Sequence, residues 1–481
     1  MQRRTKIVAT VGPASEDPAT LRKMVVAGMN MARLSLAHGP VEETLERIQR
    51  VRRAAEEEGE LVGILADLPG PKVRSASFPE GGVYLIEGEA ADIVPAEADV
   101  TSDSGRIAVD LPDLLTQLRV GDTVALGDGG IKLFVEVVDG ARAVARVVTG
   151  GRVQGRPGVV LPAGRSTMST PTAEDLRLLE VVCEAGVDAV AVSFVRSAVE
   201  VERVRAHAGR DAPMLVAKIE TQEAVDALDE VISAADGVMV ARGDLGIRCA
   251  LEDVPHYQKR IIRAGLAYGR PVITATQMLE SMIHSPAPTR AEVSDVANAV
   301  FDGTSALMLS GETAIGHDPV AAVLTMAKVA ARAERDFNHE GWGALTGRQQ
   351  ISATRGAPAS VRVTAAISAA SLRAATDADA TAIIACTNGG ASARSIARFC
   401  PTVGIIGATP SPRTARQLSV AWGVTPVVIP RQTTTDGIVK SAIAAATDLG
   451  LIAVGDVVAV LVGAPDDPEP WSNVLRLERI R

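Results

Sequence analysis

The sequence predicts an α/β protein: a (β/α)8 TIM barrel that carries an inserted small β-barrel domain and is followed by a three-layer α/β domain. Three observations predict this fold class. Eight short apolar runs of β character alternate with helical patterns. An interval of about a hundred residues, too long for a loop, interrupts that alternation after the third run. A second alternation of strands and helices follows a polar, glycine-rich stretch.

The first alternation is the basis for the barrel. The eight predicted strands cover 6–11, 29–36, 61–68, 188–194, 214–220, 237–244, 271–277 and 306–312, and helical patterns cover 176–185, 198–208, 224–234, 255–268 and 319–333. Strands that alternate with helices form parallel βαβ units, and a barrel of this kind requires eight of them. An open Rossmann-type sheet is the alternative, but no Gly-x-Gly-x-x-Gly motif opens a helix after the first strand.

Two breaks in the pattern define the other domains. The interval 69–171 is rich in Gly, Val and Asp and is typical of short strands and turns. Residues 343–358 are polar and glycine-rich, which predicts a linker. Beyond it we expect a helix at 361–375 and strands at 382–387, 402–407, 424–429 and 457–462. The predicted boundaries are 1–69 with 170–342 for the barrel, 70–169 for the inserted domain and 355–481 for the C-terminal domain.

Composition and charge argue against several classes of function. The net charge of −9 and the aromatic content of 2% are unlike a nucleic-acid-binding surface. No apolar run approaches the roughly 20 residues that span a bilayer, and no signal peptide opens the chain. The four cysteines form no close pair, which is typical of reduced thiols. We therefore expect a cytoplasmic protein with neither a nucleic-acid nor a membrane partner.

Polar residues end two neighbouring predicted strands. Lys218 and Glu220 end one of them, and Asp244 ends the next. Residues i and i+2 of a strand share a face, so two carboxylates and an ammonium should converge at one end of the sheet. Mg²⁺ usually takes one or two protein carboxylates and fills its shell with water and substrate oxygens. The alternative is a surface salt bridge, which rarely ends strands of buried character.

Other polar residues fall at the same ends of the predicted strands, where barrels of this kind gather their functional groups. Arg33 offers a planar fork suited to a phosphoryl group. Gly243 and the turn after it offer backbone N–H groups to a carboxylate. Thr276 carries a hydroxyl group that could transfer a proton. The remaining strand-end residues are Asp67, Ser193 and Glu312.

Several motifs together resemble the pyruvate kinase family, and the resemblance covers nearly the whole chain. They are KIVATVGP (6–13), ARLSLAHG (32–39), VARGDLG (240–246), ATQMLESM (275–282), PTRAEVSDVANAV (288–300) and MLSGET (308–313). The resemblance implies transfer of a phosphoryl group from phosphoenolpyruvate to ADP, giving pyruvate and ATP in the final step of glycolysis. It also implies a homotetramer and an inserted domain that closes over the site as a lid.

The resemblance implies a role for each site residue. It makes Lys218, Thr276 and Arg33 catalytic, Gly243 and Asp244 further substrate-binding residues, His38 and Arg74 nucleotide-binding, and Glu220 and Asp244 the ligands of Mg²⁺, with Mn²⁺ as an alternative metal. Lys218 would stabilise the enolate and the transferring phosphoryl group. Thr276 would belong to the protonation relay.

Departures from the family pattern concern the monovalent cation and the nucleotide. Oxygen ligands that normally help to hold K⁺ are changed at Ser35, Ala37 and Leu68. Lys72 stands where K⁺-dependent members carry Glu, and its ammonium, with Asp67, could take the place of the ion. We therefore expect that K⁺ is not required. A nucleotide-facing lysine of the family is replaced by Glu174.

Two other functions stay open at this point. The intact Lys218, Glu220, Asp244 and Thr276 favour the enzyme, whereas Ala37 and Glu174 favour a catalytically weak paralogue that senses phosphoenolpyruvate or nucleotide. A Mg²⁺-dependent barrel lyase or aldolase acting on pyruvate enolate would use a similar lysine and carboxylates. Arg33 and the expected lid favour phosphoryl transfer over that chemistry.

Overall fold

The structure is a computed structural model that describes residues 3–97, 100–127, 129–162, 168–209, 211–464 and 471–481. The first part of the chain forms three parallel strands with two helices between them, as the alternation predicts. These elements are β1 (Lys6–Thr10), α1 (Pro18–Ala27), β2 (Met31–Ser35), α2 (Val41–Glu57) and β3 (Gly63–Asp67).

The interval after β3 folds into a separate β domain with its own apolar core. Its elements are β4 (Val83–Leu85), β5 (Ala90–Pro95), β6 (Arg106–Val109), α3 (Leu114–Gln117), β7 (Thr123–Leu126), β8 (Ile131–Val138), β9 (Ala143–Thr149), β10 (Gly151–Val153) and β11 (Val159–Val160). Six strands pair in the order β11-β7-β8-β9-β5-β6, and β10 pairs with β4. Arg74 bridges to Gly158 beside β11, and Ser75 bridges to Val109 of β6. This short segment joins the two edges of the six-stranded sheet, as the predicted small β barrel requires.

The chain then returns to complete the large barrel. The strands and helices of this part are α4 (Ala173–Glu184), β12 (Ala189–Val192), α5 (Ala198–Ala208), β13 (Met214–Ile219), α6 (Gln222–Asp226), α7 (Leu228–Ala234), β14 (Gly237–Ala241), α8 (Arg242–Arg248), α9 (Val254–Ala267), β15 (Val272–Ala275), α10 (Arg290–Phe301), β16 (Ala306–Leu309), α11 (Gly311–Ala314) and α12 (Pro319–Ala333). Three short 3-10 turns lie at Leu251–Asp253, Glu280–Ile283 and Glu334–Asp336.

The eight parallel strands close in the order β1-β16-β15-β14-β13-β12-β3-β2. β1 closes the ring because it pairs with β2 on one side and with β16 on the other. β3 and β12 to β16 are buried at every position, as expected for strands that face the barrel interior on one side and helices on the other. The predicted (β/α)8 barrel is confirmed, and the open Rossmann-type sheet is wrong.

The strands are shorter than predicted at the ends that carry the polar residues. β14 ends at Ala241, so Asp244 lies in the first turn of α8 and not on a strand. β16 ends at Leu309, which places Glu312 in α11. The periodicity of the sequence does not show these ends, because the helices that follow the strands have only seven and four residues, too few to display a helical repeat.

The C-terminal part is a five-stranded sheet with helices packed around it. Its elements, with the helix before it, are α13 (His339–Ala353), α14 (Ala359–Asp377), β17 (Ala382–Cys386), α15 (Ala391–Ala397), β18 (Gly404–Thr409), α16 (Pro412–Leu418), β19 (Val424–Val428), α17 (Thr435–Asp448), β20 (Val457–Val462) and β21 (Val474–Arg479). The strand order is β19-β18-β17-β20-β21, with β21 antiparallel to β20. The sequence pattern does not predict β21, and most of the linker predicted at 343–358 is the helix α13.

Buried ion pairs fasten the C-terminal domain to the barrel. Asp188, which is fully buried before β12, accepts from Arg52 of α2 at 2.6 Å and from Arg416 of α16 at 2.8 Å. One carboxylate therefore joins two domains through charge-assisted hydrogen bonds. None of the helices in the described ranges is long and apolar enough to cross a membrane.

Candidate active site

The polar residues singled out at the strand ends meet at the C-terminal mouth of the barrel. β2 and β3 supply Arg33 and Asp67, and β13 supplies Lys218. Ser193 follows β12 directly, and Glu220 follows β13. Lys218, Asp67 and Glu220 are 9%, 3% and 0% exposed, so a solvated surface salt bridge does not describe them.

Lys218 is the centre of this network. Its Nζ donates to Ser193 Oγ at 2.7 Å and to Asp67 Oδ1 at 3.2 Å, and it lies 2.9 Å from Glu220 Oε1. The Ser193 hydroxyl donates in turn to the carbonyl oxygen of Leu68 at 2.7 Å. The ammonium is thus held by groups at the ends of β3, β12 and β13, at the barrel mouth.

Asp67 joins Lys218 to Arg33. Arg33 Nε donates to Asp67 Oδ2 at 2.7 Å, and its Nη1 donates to Thr10 Oγ1 at 3.1 Å. The carboxylate therefore fixes two cations that approach it from different strands. Such a pair of fixed positive charges suits a phosphoryl group.

Burial and charge act in opposite directions on these groups. Burial opposes ionisation of Asp67, but the charges of Lys218 and Arg33 outweigh it and hold the pKa of Asp67 below its ordinary value. Burial likewise disfavours the charged form of Lys218, but Asp67, Glu220 and Asp244 outweigh it and raise the pKa of the ammonium. Lys218 and Asp67 are therefore both charged at neutral pH.

Glu220 is only partly satisfied by the protein. Its Oε2 accepts from the Phe194 N–H at 2.7 Å. Its Oε1 forms an ion pair with Lys218 Nζ at 2.9 Å but accepts no well-aligned hydrogen bond within the described residues. Burial raises the pKa of Glu220, the charge of Lys218 opposes this, and the negative charge of Asp244 adds to it. One ammonium does not compensate several neighbouring carboxylates, so a divalent cation between Glu220 and Asp244 would be favourable here.

These two carboxylates fit Mg²⁺ better than a metal held by protein groups alone. The described residues contain no group of three or more His, Cys, Asp or Glu placed to hold a metal. Mg²⁺ usually needs only one or two carboxylates, because waters and substrate oxygens complete its shell. Glu220 and Asp244 are the residues that would hold it.

Thr276 lies in a strained turn at the end of β15. Thr276 and Gln277 have φ angles of 64° and 54°, and Phe194 has a φ angle of 55° at the end of β12. A β-branched residue rarely adopts this left-handed conformation, and such strain concentrates at functional sites. Arg242 holds the turn by donating to the carbonyl oxygens of Ala275 and Thr276 at 3.2 Å and 2.6 Å.

The Thr276 hydroxyl joins this turn to α8. It accepts from the Gly243 N–H at 2.8 Å and donates to the Ala275 carbonyl at 2.7 Å. Gly243 is therefore engaged by Thr276, so a substrate carboxylate that used this N–H would compete with the hydroxyl. For a proton relay, Thr276 would have to release the Ala275 carbonyl.

Two cavities flank the network. One of about 480 Å³ is lined by residues that include Arg33, Ser35 and His38. His38 has a lowered pKa, chiefly because of partial burial and then because of the charges of Lys72, Arg74 and Arg33. The other cavity, of about 180 Å³, lies under the inserted domain and is lined by residues that include Lys72, Arg74 and Asp244.

Glu312 and Glu174, which were singled out in the sequence, contact residues outside the Lys218 network. Glu312 is fully buried and accepts from the backbone N–H groups of Leu279 and Ser310, so it holds two loops together. Glu174 is exposed and pairs with Arg177 of the same helix at 2.6 Å.

Sequence reasoning missed Phe194 and Arg248. The Arg248 guanidinium lies 4.8 Å from the centre of the Phe194 ring, and both residues line the smaller cavity. Phe194 follows the strand-end Ser193, which could have pointed to it. No local pattern singles out Arg248, because it ends a seven-residue helix whose position depends on the barrel.

Comparisons with known proteins match most of the chain. The family model described as "Pyruvate kinase, barrel domain" matches residues 2–323, and that described as "Pyruvate kinase, alpha/beta domain" matches residues 365–477. The chain is 39% identical to a pyruvate kinase of Geobacillus stearothermophilus over 486 residues, covering 100% of this chain and 81% of that protein.

Two further relatives match over nearly their full length. The chain is 36% identical to a pyruvate kinase of Clostridium acetobutylicum, with 99% of each chain covered. It is 38% identical to one of Mycobacterium tuberculosis, with 100% of this chain and 99% of that protein covered. The chain therefore belongs to the pyruvate kinase family, whose members are transferases.

Proposed function

We propose that this protein transfers the phosphoryl group of phosphoenolpyruvate to ADP and releases pyruvate and ATP, as a cytoplasmic, homotetrameric enzyme of glycolysis. Family membership supports the reaction class. The observation that carries the proposal is the network in which Lys218, Arg33 and the two carboxylates Asp67 and Glu220 meet at the barrel mouth.

The residues of this network suit both chemical halves of the reaction. In the first half, the bond between phosphorus and the enol oxygen breaks and a new bond forms to a terminal phosphate oxygen of ADP. Arg33 holds the phosphoryl group, and Lys218 lies where negative charge develops on the enolate oxygen. In the second half, the enolate carbon takes up a proton to give pyruvate. The Thr276 hydroxyl, fixed against Gly243, is the candidate for that relay.

The proposal also assigns roles to a divalent metal and to the inserted domain, which would act as a lid. Mg²⁺, or Mn²⁺ in its place, would be held by Glu220 and Asp244 and would neutralise phosphoryl and enolate oxygens when bound. Residues of the inserted domain form one wall of the cavity that Asp244 also lines. The domain would exclude water, which would otherwise compete with ADP for the phosphoryl group.

Pyruvate formation from phosphoenolpyruvate and ADP, coupled to lactate dehydrogenase, tests the reaction directly. We expect turnover that requires Mg²⁺ and both substrates. Binding of either substrate without turnover would favour the sensing paralogue. Release of pyruvate without ADP would favour a lyase or phosphatase and would contradict the proposal.

We also propose that turnover does not require K⁺. Asp67 already bonds with Lys218 and Arg33, and the exposed Lys72 lies close enough to lower the pKa of His38 through its charge. A tethered ammonium is always present, so no ion need be recruited from solution. Activity should be similar in Na⁺, K⁺ or tetramethylammonium, and Lys72→Glu should lower it without rescue by K⁺.

The matched control is Lys23→Glu, which makes the same charge change on the outer helix α1. Its activity and its response to cations should equal those of the unmodified protein. A strict K⁺ requirement of the unmodified protein would contradict the proposed role of Lys72, and so would a Lys72→Glu variant that behaves like the control.

A further inference from the structure

Arg248 closes the cavity beneath the inserted domain on the side of α8. The cavity walls carry three basic side chains, those of Lys72, Arg74 and Arg248, and one carboxylate, that of Asp244. If Asp244 holds a divalent cation, the remaining wall is strongly positive. A concave site with this charge favours a ligand that bears several negative charges.

Within the described ranges, the Arg248 guanidinium packs against an aromatic ring and forms no ion pair. It stacks 4.8 Å from the centre of the Phe194 ring. Its Nε is buried and, within the described part of the chain, has no hydrogen-bond partner. A buried guanidinium N–H without an acceptor is unfavourable in a native structure unless a ligand supplies one.

Phe194 connects the Arg248 guanidinium to the candidate metal site. The ring belongs to a residue with a left-handed backbone whose N–H donates to Glu220 Oε2 at 2.7 Å. Arg248 is thereby fixed relative to Glu220 through one intervening residue. Stacking on an aromatic face also lowers the rotamer freedom that Arg would lose on binding a ligand.

The inserted domain completes the surroundings of Arg248. Gly129 approaches Ile247 so closely that a Cβ at position 129 would lie 2.9 Å from the Ile247 side chain. Gly129 thus lies against α8 next to Arg248. A ligand in this cavity would contact the barrel and the inserted domain at the same time.

The residues that line the cavity indicate which substrate it would bind. It shares Asp244 with the candidate active site, but Arg33, Lys218 and Thr276 do not line it. It therefore adjoins the candidate metal site through Asp244 and also contains Arg74, which the family resemblance assigns to the nucleotide. We propose that Arg248 binds the phosphate groups of the nucleoside diphosphate and is a specificity-determining residue for this second substrate. This inference rests on the proposed function.

Arg248→Gln tests the proposed role of Arg248, because it removes the positive charge and the guanidinium but keeps a polar side chain. The KM for ADP should rise roughly ten- to a hundredfold, as expected for loss of a charged hydrogen bond to phosphate, whereas kcat and the KM for phosphoenolpyruvate should change little. Arg248→Lys should give an intermediate KM, because it keeps the charge but loses the planar fork. The preference of the protein for binding ADP over AMP should shrink in Arg248→Gln.

Arg260→Gln, an exposed change on α9 outside the cavity, is the matched control and should leave the KM for ADP unaltered. If the unmodified protein turns over and Arg248→Gln does not alter the KM for ADP, or alters both KM values equally, the inference on Arg248 falls and the proposed function stands. If the unmodified protein does not turn over, calorimetry with ADP and Mg²⁺ decides. Weaker binding of ADP by Arg248→Gln than by the unmodified protein supports the inference. Equal binding by the two proteins, or no binding by the unmodified protein, overturns it.

Discussion

Lys218→Met should reduce kcat by at least roughly 10²- to 10³-fold, while phosphoenolpyruvate still binds. The ammonium is placed by Ser193, Asp67 and Glu220, and its charge matters most when negative charge develops on the enolate oxygen. Steady-state kinetics and equilibrium binding of phosphoenolpyruvate measure the two quantities separately. Proton exchange into pyruvate should fail together with phosphoryl transfer, because both halves pass through the enolate.

The same substitution removes a buried cation from between two carboxylates. Breaking a buried ion pair from one side costs about 3–5 kcal/mol, so thermal unfolding must be measured beside the kinetics. Lys218→Arg keeps the charge and is the control for stability. If Lys218→Met is folded and only the affinity for phosphoenolpyruvate falls, Lys218 is a binding residue and its catalytic assignment is wrong.

Asp244→Ala should lower Mg²⁺-dependent turnover by roughly 10³-fold or more, since a metal at this position would supply several kcal/mol of charge stabilisation. Asp244 is only partly buried in the first turn of α8, so the barrel should stay folded. Glu220→Gln should give a similar loss. The amide keeps the volume and an oxygen that can accept from the Phe194 N–H, but it removes the negative charge.

Binding of Mn²⁺, measured by electron paramagnetic resonance, provides a readout that does not depend on turnover. Both variants should bind Mn²⁺ more weakly than the unmodified protein does. Glu252→Ala, an exposed acidic change close to α8 in sequence, should bind it normally. Full activity of Asp244→Ala at saturating Mg²⁺ would show that the metal is held elsewhere.

The barrel could be predicted because its signals are local. Each strand is a short apolar run and each connection is a helical pattern, and parallel strands in a barrel bring their carboxyl ends to one mouth. Arg33, Asp67, Ser193 and Lys218 could therefore be expected to converge although their partners were unknown. The sequence did not place Lys72 in the same cavity as Arg74 and Asp244, because that depends on how the inserted domain rests on the barrel.

Helix α13, unlike the barrel, could not be predicted from local signals. Three glycines, Gly341, Gly343 and Gly347, lower its helix propensity, and the sequence therefore favours a linker. In the structure Trp342 donates from its indole N–H to the Arg398 carbonyl at 3.1 Å, and its ring packs against Gly303. Contacts with residues far along the chain stabilise a helix that its own residues disfavour.

The sequence by itself determined the barrel, the inserted and C-terminal domains, and the residue types at the strand ends, since periodicity and residue chemistry are local properties. Only the tertiary structure decided which of these groups touch. Lys218 and Asp67 are 151 residues apart in the chain, yet they meet at 3.2 Å. The structure also assigned Glu312 to loop packing, placed Asp244 on a helix, and brought Arg248 over Phe194. These outcomes depend on the closure of the ring of strands and the seating of the inserted domain, which no local pattern encodes.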